Sequence, residues 1–318
     1  MAIKIDWQDL LKRYINWQEI VRVYKNRGEI RPNTVPPTPP VFDNYLCFTA
    51  NTSGSTVQLT RNGDTRVVQL EISRDKNTWT SYTIGDTITL TNAWDKVYFR
   101  NTLNTWAFSR NDTTYYYFVM SGSISASGDI TTLLYSESTT TLTTNYTFFN
   151  LFNHCSALTT APELPATTLV SYCYENMFSH CTWLITAPSL PATTLVNSCY
   201  VAMFYNCTAL TTAPSLPATT LAINCYAYMF DGCTSLNTLP QLPATTLSNR
   251  CYEGMFNGCT NINLYNQYDV THPNEYRIPT SWTGTVGTNS MEDMLRWTWG
   301  NVTTPSINTT YYTSNTIV

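Results

Sequence analysis

Charge is scarce in this chain. Only 12% of its 318 residues are Asp, Glu, Lys or Arg, and three are histidine. Between Tyr146 and Cys259 the charged residues are Glu163, Glu175, Asp231, Arg250 and Glu253. So neutral a surface cannot neutralise a phosphate backbone, which argues against nucleic acid as a partner. It also offers no convincing pair of carboxylates for glycoside hydrolysis. The sequence lacks a Gly-rich phosphate loop, a His-Glu-x-x-His helix and a Gly-x-Ser-x-Gly elbow. Met1–Leu11 mixes charges into its apolar residues, so no secretory h-region follows, and no stretch approaches the roughly 18 apolar residues of a membrane span. The expectation is a protein made in a reducing cytoplasm, with no catalytic residue, metal or other cofactor and no membrane partner. Ten cysteines fit that setting as small buried hydrophobes. Disulfides are the alternative, which the compartment disfavours.

What the chain does have is periodicity. Cys155, Cys181, Cys207, Cys233 and Cys259 stand 26 residues apart, and Cys173, Cys199, Cys225 and Cys251 keep the same step. Pro-x-Leu-Pro-Ala-Thr-Thr-Leu recurs from Pro162, Pro188, Pro214 and Pro240, and Met-Phe from Met177, Met203, Met229 and Met255. A fixed period in the twenties predicts stacked coils, each unable to bury its apolar face alone. Leu158–Ala161 is read as a short strand ended by the Pro-x-Leu-Pro turn. Leu169, Cys173, Met177 and Cys181 step by four, which is read as one face of a helix. The predicted coil is therefore strand, turn, helix: an α/β solenoid over residues 139–263, with residues 264–318 as a degenerate cap.

The rest divides by composition. Residues 1–31 carry a net charge of +3, and Trp7, Leu10, Tyr14, Trp17, Val21 and Tyr24 alternate three- and four-residue steps. With Leu11 beside the seam, this predicts a helical arm for attachment or oligomerisation, whose end from Val21 also reads as a small hairpin. Residues 32–40 hold five prolines and predict a polyproline II spacer; a proline-rich ligand is the alternative. Residues 41–138 show short alternating runs between turn signals such as Asn62-Gly63-Asp64, which predicts a β-sandwich or jelly roll. The fold class expected is thus α+β and multidomain.

Candidate sites are few. His154 and His180 precede two stacked cysteines and suggest zinc, but Asn206, Gly232 and Gly258 fill that column later, as a turn position would. The column Glu163, Ser189, Ser215, Gln241 follows the strand and is the candidate ligand surface. Tyr174, Tyr200, Tyr226 and Tyr252 form a second column. It reads either as packing with one wet end or as an aromatic strip for sugar rings.

Met-Phe-x-x-Cys-x-x-Leu at Met203–Leu210 and Met229–Leu236, with the Leu-Pro turn, resembles the BspA-type leucine-rich repeats over about Tyr146–Asn263. Lys96–Arg100 and Met120–Gly128 resemble a module that accompanies such repeats. Asp6–Leu11 with Gly28–Pro32 resembles the start of structural proteins of gut bacteriophages. The resemblance implies a virion-located head fibre or other appendage. Residues 1–31 would hold it to a capsid or tail protein, in a homo-oligomer with a trimer favoured, and the repeats would meet host-surface or mucin glycans. The alternatives are a surface adhesin of a gut bacterium or protist, or an intracellular repeat scaffold.

Overall fold

A computed structural model describes residues 44–63, 68–102, 108–135, 137–281 and 283–318. The expected arm and proline spacer lie outside these residues. Asn44–Val318 forms one compact unit.

Its first part holds two sheets. β1 (Leu46–Ala50), β3 (Leu70–Ser73), β4 (Trp79–Tyr82), β6 (Lys96–Asn101) and β8 (Ile124–Ser127) pair antiparallel in the order β4-β3-β6-β1-β8. β5 (Thr87–Leu90), β2 (Ser55–Asn62) and β7 (Tyr115–Ser121) form the second sheet. Alternation in β2 turns Val57 and Leu59 inward, as a half-buried strand requires. Phe48 and Phe99 from one sheet meet Phe118 from the other at ring distances of 4.9 and 5.7 Å.

The first sheet continues into the repeats. β8 pairs in parallel with β9 (Leu158–Thr160), and Thr160, Thr186 and Thr212 carry the ladder onward one coil at a time. The C-terminal tail supplies a later rung, with β10 (Thr238–Leu239) pairing in parallel with β13 (Thr316–Ile317). β11 (Asn274–Arg277) and β12 (Thr310–Thr313) form a separate antiparallel pair.

The predicted helices are absent, and with them the α/β solenoid. The described residues contain no α-helix, only a 3-10 turn at Ile130–Leu133. Each stretch expected to be helical is instead a run of four-residue turns, with positive φ at Tyr172, Asn176 and His180, then Ser198, Ala202 and Asn206, then Asn224, Tyr228 and Gly232. The reason lies in the spacing. A strict step of four advances an α-helix by about 40° too much each time, so three steps leave a face by roughly 120°. A left-handed residue every fourth position resets the chain, and the four-step stays on one side.

The backbone accounting is complete and alternates. In one coil the amides of Tyr172, Tyr174, Asn176, Phe178 and His180 donate to Asn197, Cys199, Val201, Met203 and Tyr205 of the next. The intervening amides of Cys173, Glu175, Met177, Ser179 and Cys181 close turns onto carbonyls three residues back. The inter-coil pattern recurs from Tyr146 to Gly258, so peptides stand in columns along the stack. β7 covers one end, where Phe118 N–H donates to Leu151 O. Leu295 and Asp293 at the other end donate to Thr303 O and Thr304 Oγ1.

In-register columns stack each side chain on its equivalent. Phe118, Phe152, Phe178, Phe204, Phe230 and Phe256 form one ring stack with centroids 5.2–5.7 Å apart. Phe148, Tyr174, Tyr200, Tyr226 and Tyr252 form another at 5.8–5.9 Å. Both lie in the range where offset aromatic pairs attract. All ten cysteines are free and buried. Burial pushes the Cys173 thiol up to about 12, so thiolate chemistry is suppressed.

The stack ends on a mismatch. The Tyr252 amide donates to Ser290 O, where Tyr174, Tyr200 and Tyr226 donate to the carbonyls of Cys199, Cys225 and Cys251 in earlier coils. Ser290 is 2% exposed and its hydroxyl has no hydrogen-bond partner. Ser290→Cys restores the column and removes a stranded hydroxyl. It is expected to raise stability by about 1 kcal/mol, read as a higher denaturant midpoint at unchanged slope.

Candidate functional site

Most positive-φ side chains of the turn runs reach the surface, Asn150 and Ser198 being buried, and they build a grid on one face. Its middle column reads Asn150, Asn176, Ala202, Tyr228, Gly254 along the stack. Ala202 is the smallest side chain before the tyrosine, and the surface opens there. A hollow of about 390 Å³ is lined by Asn150, Asn176, Ala202, His154, His180, Tyr205 and Tyr228. Beyond Tyr228 a second hollow of about 260 Å³ is lined by Tyr172, Glu175, Ser198, Asn224, Arg250 and Glu253. Tyr228 lines both, and the two hollows flanking it are together called the groove.

Tyr228 is 38% exposed yet fixed. Its ring lies over Gly254, where a Cβ would come within 2.5 Å of ring carbons. Its hydroxyl hydrogen-bonds the Glu253 carboxylate, which pushes the phenol up to about 12. Arg250 pairs with the same carboxylate at 3.4 Å. On the opposite wall the His154 and His180 rings stack at 4.4 Å, and Tyr205 meets His180 edge-on at 5.4 Å. Burial, with His154 adding to it, lowers the His180 pKa and favours a neutral imidazole.

The zinc reading does not assemble. The thiols of Cys155 and Cys181 turn inward and donate to Phe118 O and Phe152 O at 3.1 Å, while the imidazoles line the outer groove. Among the described residues no group of three or more His, Cys, Asp or Glu could hold a metal ion. No helix among them is long and apolar enough to cross a membrane.

The tyrosine column is corrected as well. Tyr174, Tyr200, Tyr226 and Tyr252 are at most 1% exposed, and the Tyr174 and Tyr252 hydroxyls are buried without a partner. They are core, with no wet end and no face for a sugar. Glu163, Ser189, Ser215 and Gln241 are all exposed. Glu163 accepts from Asn44 at 2.8 Å, and the Gln241 amide donates to Val318 O, so the ends of that column are tied to residues flanking β1 and β13. None of the four lines the groove. Trp7, Leu10, Leu11, Tyr14, Trp17, Val21 and Tyr24 lie outside the described residues. The groove residues were legible only as a pattern of Asn and Gly every fourth position, the residue types that tolerate positive φ.

Glu175 and Glu253 sit three coils apart in one column. At ~4.8 Å per rung that separation is about 14 Å, beyond the roughly 5–9.5 Å of paired glycosidase carboxylates. No family model, curated protein or solved structure matches this chain.

Burial, and secondarily Asp112, pushes Glu175 up to about 7. The sign follows from linkage: between about pH 4.5 and 7 the unfolded chain loses this proton while the folded chain keeps it, so stability falls with rising pH across that window. Glu175→Gln is expected to flatten that decline and to be the more stable form at pH 8, measured by chemical denaturation at a series of pH values.

Proposed function

We propose that the chain is a non-enzymatic display protein of a bacteriophage virion, a head fibre or other surface appendage. The observation that carries this reading is the division of the repeats into two sides. Every repeated thiol and its ring stacks are sealed inside, and a nearly uncharged Thr, Asn and Tyr surface faces outward. Such a rod holds a surface rigidly and offers no assembled catalytic constellation. Its bonding between coils is continuous with the β-sheets, so load on the tip passes through hydrogen-bonded backbone.

Attachment through residues 1–31 rests on their Trp- and Leu-bearing seam, and the five prolines that follow suit a spacer. The same seam supports a homo-oligomer, a trimer being the favoured form. The sequence resemblance to gut phage structural proteins supports placement on the particle.

Sedimentation of phage particles through a density gradient is the test. The full chain is expected to travel with intact particles and a chain lacking residues 1–31 to remain at the top. Full chain found only in the soluble fraction overturns the proposal.

A further inference from the structure

The groove has a chemistry that narrows its ligand. Its backbone is unavailable. The amides of Asn176, Ala202 and Tyr228 are spent on Val201, Ala227 and Glu253 in the next coil. An extended peptide therefore finds no strand edge to add to, because edge addition requires free main-chain donors and acceptors. What faces the hollow is side-chain amide, imidazole, phenol and hydroxyl, a dense mixture of neutral donors and acceptors.

Charge excludes a second class. The larger hollow has no Asp, Glu, Lys or Arg in its lining. In the smaller one, Arg250 is matched by Glu253, and Glu175 adds acidic character. A sulfated, sialylated or phosphorylated ligand would meet no uncompensated cation there.

Preorganisation supplies the third constraint. An exposed tyrosine ordinarily gives up rotamer freedom when it contacts a ligand. Tyr228 has already given it up, clamped between the bare Cα of Gly254 and the Glu253 carboxylate. A fixed π-face beside amides and imidazoles matches a molecule with polarised C–H bonds on one face and hydroxyls around its rim. A volume of about 390 Å³ falls within the range of small-ligand sites.

The geometry points to this groove, built on Asn150, Asn176, His180, Ala202, Tyr205 and Tyr228, as a binding site for an uncharged glycan. Tyr228 is the stacking platform, Asn176 and His180 bind hydroxyls, and the gap at Ala202 admits the ring. Such a site gives the displayed rod its ligand, and in that sense it rests on the display reading. The two fail separately, because binding by the purified chain is independent of its travel with particles.

The test uses the full purified chain on an array of neutral oligosaccharides ending in galactose, N-acetylgalactosamine, N-acetylglucosamine, fucose or mannose, with sialylated and sulfated counterparts. The result expected is binding to neutral members, with affinity confirmed by calorimetry. Tyr228→Ala should weaken it roughly tenfold or more, a change of one decade in Kd. Tyr228→Phe keeps the ring and should keep most of the binding. Ala202→Tyr is the second variant. Tyrosine already occupies positive φ at Tyr146 and Tyr172, whose rings stack at 4.5 Å, so this substitution fills the hollow in a conformation the grid tolerates. It should abolish binding at an unchanged melting temperature, and it decides the matter if Tyr228→Ala does not fold. Silence across the neutral panel at millimolar sugar, binding confined to charged glycans, or binding that survives Ala202→Tyr would each overturn the assignment.

Discussion

The structure depends on one constraint: every second peptide along the turn runs must point its N–H at the equivalent peptide of the next coil. This satisfies the backbone without an α-helix and fixes the coils in register. Register then dictates sequence. A side chain must tolerate a copy of itself one rung away, which suits Phe on Phe, Tyr on Tyr and Cys on Cys. It does not suit charge. Like charges at ~4.8 Å repel by about 1 kcal/mol in water and roughly 3 kcal/mol at an effective dielectric of 20. The dearth of charge from Tyr146 to Cys259 follows from this, and so does the placing of Glu175 and Glu253 in one column with Val201 and Ala227 between them.

The same constraint separates what the sequence shows from what it hides. The period, the buried cysteine columns and the Leu-Pro turns were legible because burial repeats with them. A step of four looks helical over two turns, so the turn runs resemble helices in sequence. The distinguishing sign is that Asn176, Asn206, Asn224, Gly232, Gly254 and Gly258 all occupy the positions, four apart within each coil, where the backbone is left-handed. Residue type alone suggests a wet end for the tyrosine column, whereas in-register stacking closes both faces of every ring but the last. The parallel ladder of Thr160, Thr186 and Thr212 follows from the repeat, but its join to β8 through β9 was hidden, since pairing between unlike segments leaves no local mark.

The proposed binding site sits where the repeat relaxes. Interior columns are nearly invariant from coil to coil, but the outward grid changes from Asn176 to Ala202 to Tyr228 to Gly254. Those departures create the groove, and none of them disturbs a buried contact. A stack of this kind can therefore vary its outer face at little cost to stability while its core stays fixed. That separation is what the proposed binding surface would use.

The most direct test of the in-register stack is amide–amide nuclear Overhauser contact in a deuterated sample. The account predicts cross-peaks between the amide protons of Tyr174 and Tyr200 and between those of Tyr200 and Tyr226, one rung apart. A continuous run of strong sequential amide contacts from Leu169 to Cys181, without those inter-coil peaks, would show helices and contradict it.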